Sequence, residues 1–426
     1  MQVPTCLLDR INAEDIEIRF PDWEASVECT LGMDLSFSAM RESSPALPVH
    51  RWLELLVAAL WLVAVIAATI QQGVVHHNNN FLIFRAASIH LLHGQDLYAA
   101  YPSLHFDFFK YSPAFALLFL PFAALPLVPS MLMWNALNAG ALWLALGTVL
   151  PRRGALIARS IVLLDMLGSL QNVQSNALVT ALIIFSFIAY ERRHTVLGGL
   201  AVDVGAAIKV FPLAGASFAI FHPRKVRVAV AVALGAAGLV LLPLLVTTPA
   251  TLWAQYASWR AIESKDALDR GFTVMQMVQL LLQQDWPNWP QQVGGVLLLV
   301  APVLVRRDRW TDWNFRLTYL CSVLVFCVIF NHQSESPTFV IAAAGAAIWF
   351  AALAKPSRLE WALFVFLVVC TMLASSDAMP RAIQRAVFDR YHFKTVPCIV
   401  LWVVLQVRLW RGPPRAEGAV AESSLA

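Results

Sequence analysis

A few short polar stretches carry the side chains best able to do chemistry in this sequence. One is QNVQSN, residues 171–176, whose Gln171, Asn172, Gln174 and Asn176 flank Ser175. Each amide both donates and accepts hydrogen bonds, which suits a polyhydroxyl ligand. Capping a helix is the ordinary alternative, but one cap needs one such residue. A second is FNHQSESPTF, residues 330–339, where Glu335 stands between His332 and Pro337. A carboxylate beside an apolar segment is costly unless paired or used. Near a helix N-terminus it is also favoured electrostatically, so a structural role stays open. A third is AAIKVFPLAG, with Lys209 in the middle of an apolar run. If Pro212 breaks the helix, the ammonium can reach the interface and meet an anion; snorkelling without function is the alternative. The fourth, HHNNNFLIFRAASIHLLHGQDLYAAYPSLHFDFFKYSP, holds Asn80, Arg85, Asp96, Asp107, Lys110 and Tyr111 with His76, His77, His90, His93 and His105. His90 and His93 lie at i, i+3 with no third ligand fixed by spacing, and no HExxH occurs, so interfacial amphipathic helices explain the histidines without a metal. Asp165 and Asp203 are two further acids within apolar runs. Asp203 could pair with Lys209, though nothing in the spacing requires it.

These stretches must be positioned by membrane helices. The chain has 426 residues, is 59% hydrophobic and 14% charged, and has a mean hydropathy of +0.64. Soluble domains are about 45–50% apolar and about 25% charged, so a soluble enzyme is excluded, and the net charge of +4 gives no reason to expect nucleic acid. The expected fold is all-α and polytopic, with about 11–13 transmembrane or re-entrant helices. Apolar runs fall at 52–70, 131–150, 155–170, 177–190, 196–221, 226–246, 291–305, 315–330, 339–354, 360–375 and 396–410. Residues 1–50 and 412–426 read as cytoplasmic tails around a transmembrane domain at 51–411. The run 112–126 is punctuated by Pro113, Pro121 and Pro126. If it only dips into the interface, and 196–221 is a hairpin bent at 209–212, 19 Lys and Arg fall on one side and nine in the loops of the other. The positive-inside rule makes the first side cytoplasmic. The loops 71–130 and 247–290 then lie outside, and their length and aromatic content predict short helices on that surface.

Taken together, NNFLIFRAA, HGQDLY, FKYSPAFALLFLPFAALP, WNALN, QNVQSN, AAIKVFPL and NHQSESPTF resemble glycosyltransferase family 87, also known as DUF2029, of the GT-C superfamily. The similarity covers roughly Trp52 to Ser375. It implies an integral membrane enzyme that moves a sugar, in most members mannose, from a polyprenyl-phosphate donor to a lipid or glycan acceptor on the outer face. No further cofactor is implied. The place implied is the plasma (inner) membrane, with both termini cytoplasmic and the site extracytoplasmic. GT-C enzymes put an acidic base in the first outer loop. Here Asn80 stands where the family usually has Asp, and an amide is no general base. Asp107 or Glu335 would then be the catalytic carboxylate; otherwise the activity is altered or lost. Arg85, Lys110 and Lys209 are the candidates for the donor phosphate. Asn80, Asp96, Tyr111, Gln171, Asn172, Gln174, Asn176 and His332 are the candidates for sugar or acceptor hydroxyls. The rival class is a transporter or flippase of lipid-linked sugar. The sequence has no GxxxxGK[ST] loop for ATP drive, and no GxSxG or SxxK nucleophile motif.

Overall fold

The computed structural model describes residues 51–75, 78–374, 379–389 and 391–411. The expected tails 1–50 and 412–426, and His76 and His77, lie outside these. Among the described residues every regular element is helical. Five helices are long and apolar enough to cross a membrane: Arg51–Gly73, Leu127–Val149, Arg152–Gln171, Lys225–Leu245 and Asn288–Val305. Shorter apolar helices, among them Asn176–Glu191, Thr195–Ile208, Trp313–Ile329 and Ser336–Ala351, complete the bundle. The fold is that of a multi-pass, all-α membrane protein.

The centre of the bundle is the 340–351 helix, in which every residue from Val340 to Phe350 is buried. Its sequence, VIAAAGAAIWF, is small enough to let the 313–329 and 152–171 helices close on either side. Gly345 shows why, since even a methyl group there would press on the Cys321 carbonyl. The periphery has the opposite pattern. In the 225–241 helix Val228 is the one buried residue, while Val226, Val230 and Leu234 point outward. Apolar residues on an outward face are stable only if lipid covers them.

Two expected breaks are present. The 112–126 run folds as two short helices, Pro113–Leu118 and Leu120–Ala123. Ser112 caps the first by accepting from Phe115 N, with Pro113 at its first position. Ten helical residues rise about 15 Å, half of a hydrocarbon core, so this run does not cross. Phe115 and Phe119 instead pack edge-on with Phe81, Phe84 and Trp134 at ring separations of 5.0–5.4 Å. The 196–221 run breaks at Lys209–Val210, between the 195–208 helix and a 3₁₀ helix at Phe211–Phe221. Gly205 permits the tight return, because a Cβ there would lie 2.9 Å from the Pro212 ring.

The two ends of the bundle differ in chemistry. At one, Glu54 binds Arg152 at 2.5 Å, Glu191 binds Arg316 at 2.8 Å, and Glu360 binds Arg408. Arg159 donates to the Trp143 carbonyl at the same end. The other end gathers the polar stretches singled out in the sequence.

Candidate functional site

Lys209 sits in the helix break, outside both flanking helices. Its Nζ donates to Asn176 Oδ1 at 2.7 Å and to Gln174 Oε1 at 3.5 Å. Asn176 Nδ2 donates to Gln174 Oε1 at 2.5 Å, and Gln174 Nε2 donates to Glu335 Oε2 at 2.9 Å. A cation, two amides and a carboxylate from three distant parts of the chain thus form one hydrogen-bonded line. Burial lowers the Lys209 pKa to about 8, with the Glu335 charge opposing. Glu335 also closes a capping box with Thr338 at the start of the Ser336–Phe339 turn. Glu335 thus caps this turn and accepts from Gln174 at the same time.

Tyr111 joins the group from the first long loop. Ser112 Oγ donates to the Ala207 carbonyl at 2.5 Å, which seats Tyr111 beside the Lys209 break. Its carbonyl accepts from Tyr98 OH at 2.7 Å. Burial, then the negative fields of Glu335 and Asp107, push the Tyr111 phenol well up, so it stays neutral and can donate. Ser175, fully buried in the adjoining turn, lies within side-chain reach of the Tyr111 phenol.

A rim of charges lies around this centre. Lys110 binds Asp266 at 2.8 Å, and Gln333 Nε2 donates to the same carboxylate oxygen at 3.2 Å. Burial opposes the Lys110 charge, but Asp266, with Asp107 and Asp269 beyond, outweighs it and raises the Lys110 pKa. Asp107 is exposed and accepts from Phe108 N at 2.7 Å. Asn80 Nδ2 donates to the Asn172 carbonyl at 2.8 Å, and Asn79 Oδ1 accepts from Phe106 N at 3.0 Å. The 79–92 helix therefore ties the 105–107 loop to the 171–176 turn. The segment after Asp266 folds over the 331–335 turn, where Phe272 N donates to Ser334 O at 2.8 Å.

Other candidates stand apart from this line. Gln171 donates to Gln71 at 2.9 Å, and Asn172 Nδ2 turns back to Gly168. Asp96 accepts from Tyr98 N and from Ser258, which pins its loop to the Pro249–Asp266 helix. His332 shares a hydrogen bond with Gln292, and burial lowers its pKa, Asp269 and Asp266 opposing. Arg85 is half-buried and makes no hydrogen bond or ion pair among the described residues. Of the first-loop histidines, His90 stacks on Tyr101 at 4.0 Å, while His93 bonds to the carbonyl of Ile89 in its own helix. Asp203 does not pair with Lys209. It faces Gly235 with neither oxygen partnered among the described residues, while Lys209 turns the other way into the amides.

Asp266, Gln333 and Lys394 escaped the sequence reading. Asp266 sits at the end of an ordinary polar helix, and nothing in its spacing points to Lys110.

Residues 108–330 match the family described as Glycosyltransferase family 87. The match covers more than half of the 426 residues and includes Lys110, Tyr111, the 171–176 turn and Lys209. The chain belongs to glycosyltransferase family 87. A comparison with curated proteins gives no match. Family membership makes this a membrane glycosyltransferase, and the line from Lys209 to Glu335 runs from inside the matched region to just beyond it. Glu335 lies five residues after the match ends, so the family assignment and the Glu335 role are independent statements.

Proposed function

We propose that this glycosyltransferase moves a hexose, mannose in the first instance, from a polyprenyl-phosphate to a lipid or glycan acceptor. The observation that supports this reading is the hydrogen-bonded line Lys209–Asn176–Gln174–Glu335 beside Tyr111. It brings together the three kinds of group the reaction needs. The acceptor hydroxyl oxygen attacks the anomeric carbon, the bond from that carbon to the phosphate oxygen breaks, and the phosphate leaves with the electron pair. The configuration inverts, and Glu335 takes the hydroxyl proton. Lys209, aided by Arg85 and Lys110, holds the phosphate through charge-assisted hydrogen bonds. Gln174 and Asn176 orient sugar hydroxyls. Gln171, Asn172, Asn80 and Tyr111 contact the acceptor, with Asp96 and His332 in the surrounding wall. Glu335 is preferred to the exposed Asp107 as base because it is hydrogen-bonded into the line itself. The basic end of the bundle favours a cytoplasmic location for that end, and an extracytoplasmic site at the other, in the plasma membrane with both termini inside.

The test is purified protein in proteoliposomes supplied with a polyprenyl-phosphate hexose and lipid acceptors. A glycosylated acceptor with release of polyprenyl phosphate is expected. Movement of the lipid-linked sugar between leaflets with no transfer product would replace the transferase reading by a flippase.

A further inference from the structure

Lys394 lies just before the Thr395–Arg411 helix and is 3% exposed. Its Nζ donates to Ser336 O at 3.2 Å and to Ser336 Oγ at 3.0 Å, and stands 4.6 Å from the Phe339 ring centre. It therefore grips the turn that begins one residue after Glu335. This is a poor place for a cation on general grounds. Helix N-termini disfavour positive charge, and a buried ammonium is costly unless compensated. A compensating group is present. Asp165, on the 152–171 helix that packs against this turn, is buried and within electrostatic reach of Lys394. Its Oδ2 has no hydrogen-bond partner among the described residues. Six residues after Asp165 the same helix delivers the 171–176 turn, whose Gln174 holds Glu335.

We propose that Lys394, with Asp165 as its counter-charge, is a positioning residue that fixes the Glu335 carboxylate against Gln174. The inference rests on the reading of Glu335 as the base. The mechanism is mechanical. The side chain of Glu335 is held by Gln174 on one side and by the Thr338 cap on the other. Both contacts need the 336–339 turn to keep its orientation. Two donor contacts from one buried ammonium to the backbone and side chain of Ser336 stop that turn from rotating. Asp165 acts on the ammonium through its field rather than through a direct contact, from the helix that carries the other half of the site.

The experiment compares Lys394→Met, Lys394→Arg, Asp165→Asn and Ser336→Ala with the parent protein in sugar transfer. A displacement of about 1 Å at a reacting group costs about 100-fold in rate. Lys394→Met and Asp165→Asn are expected to lower kcat by about that factor, with the donor KM within about twofold. Lys394→Arg, whose guanidinium can reach both Ser336 acceptors, should recover to within about tenfold of the parent. Ser336→Ala removes one of the two contacts and should lower kcat several-fold, about 3–10-fold, even if Lys394→Met does not fold. Full kcat in Lys394→Met or Ser336→Ala overturns the proposal, as does an Arg variant no better than Met, or a rise in donor KM alone. A readout independent of activity is the rate at which a water-soluble thiol reagent modifies Glu335→Cys. That rate should change at least about threefold when Lys394→Met is added, and an unchanged rate counts against the proposal. If Glu335→Gln retains full kcat the base reading fails by itself, and the thiol rate still decides whether Lys394 fixes the turn.

Discussion

Replacing Glu335 by glutamine separates the capping role of this side chain from the base role proposed for it. The amide has nearly the same shape, but one oxygen where the carboxylate has two. Two donors now share it: Gln174 Nε2, at 2.9 Å in the parent, and the Thr338 backbone N–H of the capping box. The structural loss is one hydrogen bond to a charged group, about 1.5–3 kcal/mol, and it lowers the denaturation temperature without unfolding the bundle. The chemical loss is larger, because the amide cannot accept the acceptor hydroxyl's proton. General-base help is worth about 10²–10⁴ in rate, or about 3–5 kcal/mol in the barrier. Transfer from a polyprenyl-phosphate hexose, measured at saturating donor on detergent-purified protein, should therefore fall by at least about 100-fold, with donor KM near that of the parent. Asp107→Asn, made in parallel, should keep kcat within about tenfold, because Asp107 is exposed and, among the described residues, its side chain accepts only from Phe108 N. If Glu335→Gln transfers sugar at the parental rate, Glu335 is not the base; if Asp107→Asn alone abolishes transfer, the base lies on the first loop.

Lys209→Ala should raise the donor KM about 10- to 100-fold, the worth of one charge-assisted hydrogen bond, and equal donor KM values would remove its phosphate role. Because burial puts the Lys209 pKa at about 8, its charge is present below that pH and lost above it. The kcat/KM for donor should accordingly fall as pH rises through about 8, and an alkaline limb that persists in Lys209→Ala would assign it to another group. Asn80→Asp, which installs the acid that the resemblance implies at this position, should weaken rather than improve the enzyme. It deletes the donor to the Asn172 carbonyl and sets a carboxylate against that oxygen, at a cost of about 1–3 kcal/mol; raised activity would contradict this. Gly271→Ala should lower the apparent Tm, since Gly271 has φ +41° and a Cβ there would collide with the Ser334 carbonyl.

The helices were legible because their cause is local. The run from Trp52 is apolar at every turn whatever it packs against, and Pro113, Pro121 and Pro126 interrupt 112–126 by removing donors that a spanning helix needs. The polar end was legible in part, since amides and charges beside apolar segments are expensive and so stand out. That argument finds Lys209 and Glu335, but not their partners. It gave Asp203 as a possible mate for Lys209 on proximity in sequence, whereas the 195–208 helix turns Asp203 away toward Gly235. It grouped Gln171 and Asn172 with Gln174 and Asn176. In the structure, Val173, with φ 49°, reverses the chain between them, and the first pair faces the rim while the second is buried. Lys394 was counted as one more loop charge, because its burial depends on Phe339 and Ser336, nearly sixty residues away.

The packing of the bundle away from the polar end argues against ready passage across the membrane. A carrier needs hydrophilic contacts through the depth of the bundle and a second mouth. Between the 171–176 turn and the opposite end, the helices at the centre meet through Val340 to Phe350 and through Phe187, Phe218, Phe315 and Tyr319, all buried. The far end is tied by Glu191 to Arg316 and by Glu360 to Arg408, with Phe350 stacked on Phe364 at 3.8 Å. To open a path there, an alternating-access cycle would have to part these ion pairs and rings together. A transferase needs none of that. A lipid-borne donor of the proposed kind can enter sideways from the membrane, and its leaving phosphate can return the same way. A crosslink between the 187–190 segment and the 313–319 segment therefore separates the two classes. Transfer should survive it unchanged, whereas loss of all turnover on crosslinking, restored on reduction, would show that the far end has to open.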